Sequence, residues 1–79
     1  MDRFVSIRRA SCGDLLRLSP EDRAVASMFY VGYLSSRWGA AAVNVSSIPD
    51  ITVLAEGYCD EHPGRTAFQA FAAAYSSVR

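Results

Sequence analysis

The sequence predicts an all-α fold, a small four-helix orthogonal bundle in which one helix is short. Three observations carry that expectation. Apolar residues recur at three- and four-residue intervals in the longer stretches. Helix-start residues (Ser11, Ser19 and Ser47) stand ahead of three of the four expected helices. No segment alternates well enough to read as an internal strand. With 79 residues the chain has room for one small domain. Residues 1–10 are expected to form an extended arm and residues 11–79 the single helical domain.

In the arm, Phe4 and Ile7 alternate weakly among Arg3, Arg8 and Arg9. Ser11 can cap a short helix over Cys12–Arg17, with Asp14 at the third helical position. The stretch SPEDRAVASMFYVGYLSSRWG is the strongest element. Ser19 suits the N-cap, Pro20 the first turn, and Glu21 and Asp22 the positive end of the helix dipole. Val25, Met28, Phe29, Gly32, Tyr33 and Ser36 follow helical spacing and are expected to form the packed face, with Gly39 as the stop. Gly32 inside the helix costs roughly 1 kcal/mol against alanine, and its expected use is to admit another backbone.

GAAAVNVSSIPD then breaks the pattern. Asn44-Val45-Ser46 formally matches a glycosylation acceptor, a three-residue match too common to carry weight. Ser47 is expected to cap a third helix, with Pro49 and Asp50 in its first turn, running through Ile51, Val53, Leu54 and Tyr58 to about Asp60. DEHPGR forms the joint. The fourth helix is expected from Pro63 or shortly after, with Phe68, Phe71, Ala72 and Tyr75 on one face.

Charge is balanced at eight basic and eight acidic residues, which argues against nucleic acid as a partner. The apolar runs at 40–43 and 70–75 are far too short to span a bilayer, so no membrane insertion is expected. No basic start followed by a long apolar stretch is present, so no signal peptide is expected within these residues. Every basic residue is arginine, which stays charged, whereas carboxylates lose their charge near pH 4. In strong acid the formal balance therefore moves from zero to about +9 with His62 included.

Cys12 and Cys59 are too far apart for a CxxC motif, and with His62 they fall short of a structural zinc set, so no metal and no cofactor is expected. Two buried thiols or one long-range disulfide remain. A bond closing a loop of about 47 residues would stabilise by roughly 4 kcal/mol, a large share for a domain this small. A Cys59–His62 nucleophile pair, or a carboxylate pair drawn from Glu56, Asp60 and Glu61, can be imagined. The bland readings are stronger: His62 as an N-cap or exposed joint residue, and Glu56, Asp60 and Glu61 as solvated charges at a helix end, near the next helix start. No enzyme activity is expected. On the long helix, Tyr30, Leu34 and Trp38 form a second stripe beside the one containing Phe29 and Tyr33. It is expected to be a subunit or client-binding interface, since one helix cannot readily bury both stripes.

SCGDLL, the aromatic cluster MFYVGYLSSRW and IPDITVLAEGYCDEHPGRTAFQAF, taken in order, resemble the HdeA/HdeB family of periplasmic acid-stress chaperones. The resemblance covers residues 11–75. It implies a small all-helical fold, a Cys12–Cys59 disulfide, a periplasmic location and a dimer or other assembly at neutral pH. It also implies an ATP-independent activity: in acid the assembly loosens and holds acid-denatured client proteins. The carboxylates expected to sense pH are Asp14, Glu21, Asp22, Asp50, Glu56, Asp60 and Glu61. VGYLSS is also similar to the Tai-type immunity proteins of secretion systems, which would make the partner a cognate toxin.

Overall fold

The first ordered helix, α1 (Cys12–Leu16), begins where the sequence places it. The Ser11 hydroxyl accepts from the Asp14 amide at 3.0 Å, and an Asp14 carboxylate oxygen accepts from the Ser11 amide at 3.0 Å. This reciprocal box satisfies two amide donors that would otherwise lack partners. The computed structural model describes residues 6–40 and 42–78. The first half of the expected arm (residues 1–5) and Arg79 lie outside the described residues. The second half of that arm is not extended. Residues 7–9 turn, and the Ala10 amide donates to the Ser6 carbonyl at 3.0 Å.

Helix α2 (Pro20–Arg37) starts at Ser19, whose hydroxyl accepts from the Asp22 amide at 3.2 Å. It stops at Gly39, the one residue of positive φ among those described (80°). There the Gly39 amide donates to Ser36 O at 3.0 Å and the Ala40 amide to Ser35 O at 2.8 Å. This paired closure needs a left-handed residue, which glycine adopts without a Cβ penalty.

The entry to α3 (Ile48–Glu61) differs from expectation. A single 3-10 turn (Val45–Ser47) leads directly into it, and Asn44 is the cap, its Oδ1 accepting from the Ser46 amide at 3.1 Å. Ser47 is already helical and its side chain caps nothing. Helix α4 (Ala67–Val78) begins four residues after Pro63, because residues 63–65 are spent turning the chain. Thr66 and Gln69 close its start: the Thr66 hydroxyl accepts from the Gln69 amide, and Gln69 Oε1 accepts from the Thr66 amide. No strand is present among the described residues, only an isolated antiparallel bridge between Ser11 and Thr66.

The helices form the all-α four-helix bundle with one long-range disulfide, Cys12–Cys59. Its Cα atoms are 5.0 Å apart, and both cysteines are fully buried. The bond pins the short α1 to the last turn of α3. The radius of gyration, 11.7 Å, matches about 11.6 Å for a compact domain of this length. Packing is most extensive between α3 and α4. Small buried residues, Ala55 and Cys59 on α3 and Ala67, Ala70 and Ala74 on α4, let these two helices approach closely. Phe71 is the largest fully buried side chain, and its ring stacks on Tyr30 at 4.6 Å with the planes 8° apart.

The orientation of α2 is the main correction. Its inward face is Ser27, Tyr30, Val31, Leu34 and Ser35, while Val25, Met28 and Phe29 point outward. The cause lies in the two serines. Ser27 accepts from the Thr52 hydroxyl at 2.7 Å and donates to the Arg23 carbonyl at 2.9 Å. Ser35 bonds the Tyr75 hydroxyl at 3.0 Å. With partners supplied by α3 and α4, their burial costs little, and their small size brings α2 close to its neighbours. Gly32 does not serve a close approach within the chain, since a Cβ there would meet nothing within 4 Å.

Candidate functional site

Once α2 is oriented by Ser27 and Ser35, its opposite side carries three large apolar residues at helical spacing. Val25 is 51% exposed, Met28 59% and Phe29 68%. They share one face because successive residues turn by about 100°, so positions i, i+3 and i+4 are neighbours. Gly32 and the exposed Ser36 continue the same face toward the helix end, leaving a shallow notch beyond the apolar cluster. Singly exposed apolar residues are ordinary, but three together on one helix face read as a contact surface. Glu21 and Asp22 lie exposed at the start of the helix, and Arg37 lies exposed in its last turn, round toward the cleft with α4.

The stripe expected to form an interface is divided. Tyr30 and Leu34 lie in the core, 5% and 4% exposed, and only Trp38 of that trio is on the surface. The Tyr30 hydroxyl donates to the Ile7 carbonyl at 2.9 Å, and burial pushes its pKa up. Trp38 caps α2 and, with Arg37, Phe68 and Ala72, lines a cleft of about 340 Å³ between α2 and α4. A second, open groove of about 530 Å³ runs between the N-terminal turn, α1 and α2. Leu15, Leu18 and Tyr30 line it together with Arg9 and Arg17.

The expected pH-sensing carboxylates do not form one cluster. Asp14 holds Arg17 at 2.7 Å, an exposed pair within one turn. The Ser11 amide, then Arg17 and the Ser11 hydroxyl, hold the Asp14 carboxyl below its ordinary value of 3.8. Glu56 is the one of the seven that joins two helices, accepting from Arg23 at 3.0 Å with both side chains half-buried. Arg23 also donates to the carbonyls of Leu16 at 2.7 Å and Leu18 at 3.0 Å, so one guanidinium links the α1–α2 connection to α3. Glu21, Asp22 and Asp50 sit exposed in first turns, where the dipole favours them. Asp60 and Glu61 stand at a helix end as expected, but α4 starts only at Ala67, so they are not beside its positive end. They belong to the last turn of α3, the negative end of that helix, where carboxylates are disfavoured.

Cys59 is consumed in the disulfide, so it offers no thiolate to His62. His62 itself is exposed, caps α3 through its backbone and tilts its ring against Tyr58 at 4.8 Å. No group of three metal-ligating side chains comes together among the described residues, and no described helix is long and apolar enough to cross a membrane. The surface residues that sequence reasoning missed are Val25, Met28 and Phe29. Their signal was the buried pattern beside them, Ser27-Tyr30-Val31-Leu34, which has helical spacing but was masked by its serine. No protein-family model, curated protein or solved structure matches the chain.

Proposed function

We propose that the protein is a cofactor-independent, ATP-independent binder of acid-denatured proteins, similar in action to the HdeA/HdeB family, working in the periplasm. The observation that carries this reading is the apolar outer face of α2, mounted on a body closed by a disulfide. A disulfide persists in oxidising compartments such as the periplasm. The arginine-only basic set supplies the rest: as carboxylates lose charge, the protein becomes strongly cationic and stays dispersed while clients unfold. The apolar face, together with the core behind it once the bundle loosens, offers those clients a surface.

The test is aggregation of an acid-denatured client with and without the protein at pH 2–3, alongside hydrophobic-dye binding from neutral pH downward. Dye binding and protection should both rise below about pH 4, and Phe29→Ser should reduce protection. A flat response in both measurements overturns the reading. A second reading, an immunity protein of the Tai type, is favoured by the α2 face being exposed and shaped without acid. It requires tight capture of one toxin at neutral pH.

A further inference from the structure

We infer that the cleft between α2 and α4 is a binding site for a small aromatic carboxylic acid in its ionised form. The ligand's ring lies between Trp38 and Phe68, over Leu34 and Ala72, and Arg37 holds its carboxylate. The site goes beyond the reading of the outer face of α2 and does not depend on it.

Two short ladders build the cleft. On α4, Phe68, Ala72 and Ser76 recur every four residues and line one side over about 12 Å. On α2, Leu34 and Trp38 have the same spacing, with Arg37 beside them. The volume of about 340 Å³ lies at the small end of the range for small-molecule sites. The Phe68 wall is fixed from outside. Tyr33 meets its ring edge-on, the centroids 5.9 Å apart, and the Arg8 guanidinium lies 4.6 Å from its centroid. Neither Tyr33 nor Arg8 lines the cleft, so this wall is in place before a ligand arrives. Two aromatic side chains, one from each helix, favour a ring as the occupant.

Charge selects the ligand's other end. Among the described residues Arg37 is the one charged side chain lining the cleft, and it holds no ion-pair partner. Helix α4 carries no acidic or basic residue along Ala67–Val78. The end of α2 sets little bare negative charge against an anion, because the carbonyls of Leu34, Ser35 and Ser36 are taken up by the amides of Trp38, Gly39 and Ala40. A guanidinium beside apolar walls matches an ionised carboxylate, which it grips through two parallel hydrogen bonds. The Ser76 hydroxyl supplies a further donor. A cationic ligand would be repelled, and a wholly polar one would leave the rings unused. The larger groove beside α1 is a poorer anion site, because Asp14 lines it and already holds Arg17.

Trp38 is the chain's single tryptophan, so its fluorescence reads the site directly. The probe is 3-phenylpropionate, titrated into the intact disulfide-bonded chain at neutral pH and low salt. Saturation is expected with a dissociation constant of about 0.1–1 mM, the range for a ligand of about eleven heavy atoms. Arg37→Gln should weaken the acid about tenfold, the share of a charge-assisted pair. The neutral analogue 3-phenylpropanol should bind the wild type about tenfold more weakly than the acid, and should bind Arg37→Gln no differently from the wild type. Ser76→Phe, at an exposed position, should block the cleft with Arg37 intact. Circular dichroism confirms that both variants fold. In amide spectra the shift changes should centre on residues 34–38 and 68–76. No saturable change at about tenfold above the weakest expected constant overturns the site. So does an Arg37→Gln variant that binds the acid as well as the wild type, or shift changes centred on the outer face of α2.

Discussion

Phe29 and Tyr30 are adjacent in the chain, yet α2 presents them to opposite environments, and truncating each to alanine should give opposite outcomes. Tyr30 is 5% exposed and its ring lies flat on Phe71 at 4.6 Å. Tyr30→Ala removes a buried aromatic and leaves a cavity beside a fully buried Phe71, a change that costs about 3–5 kcal/mol. Stacking adds about 1 kcal/mol. The hydroxyl bond to Ile7 O adds less, because water can reach the N-terminal turn. Phe29 is 68% exposed, so its truncation returns little area, and alanine's better helix propensity offsets part of that. The net cost should stay below about 1 kcal/mol. Urea unfolding followed by far-ultraviolet circular dichroism, at submicromolar protein to exclude self-association, measures both. With a slope of about 1 kcal/mol per molar urea, Tyr30→Ala should lower the midpoint by about 4 M or more, or abolish folding. Phe29→Ala should move it by less than 1 M. If Phe29→Ala proved the costlier change, α2 would be turned the other way and the assigned surface would be the core.

Reducing Cys12–Cys59 should lower stability by about 4 kcal/mol, read as the difference between urea curves with and without a strong reductant added in the unfolded state. Identical curves would show that the bond constrains nothing. Asp14 has a carboxyl held below 3.8, so its contribution is present above the unfolded value and lost as pH falls through the lowered one. Asp14→Asn should therefore flatten the loss of stability below about pH 4 relative to wild type, in urea midpoints measured pH by pH; parallel curves would remove Asp14 as a contributor.

What was legible in the sequence was what is local. The Ser11 box with Asp14, the Ser19-Pro20 start and the Gly39 stop each involve residues within a turn of one another, and all three stand where expected. The start of α4 was legible as well and was misread. Thr66-x-x-Gln69 is a capping pattern, whereas Pro63 sits in the preceding turn. The facing of α2 could not be read locally. It depends on Thr52, 25 positions from Ser27, and on Tyr75, 40 positions from Ser35. A serine with a distant hydroxyl partner looks, in sequence, like a serine facing water. The same ambiguity exchanged core for surface, and so moved the candidate site from Tyr30 and Leu34 to Val25, Met28 and Phe29.

The covalent link also divides the chain unequally. Between Cys12 and Cys59 lie all of α2 and nearly all of α3, whereas α4 hangs outside the closed ring. A cross-link opposes only those openings that free the segment it encloses. Peeling α4 away leaves the covalent ring closed and gains nothing from the bond, while melting the whole chain must overcome it. Oxidation thus acts on one of these two events and not on the other. It deepens the well for complete unfolding and leaves the cost of α4's departure unchanged. Because α4 carries Phe71, that departure uncovers Tyr30 while the ring remains intact.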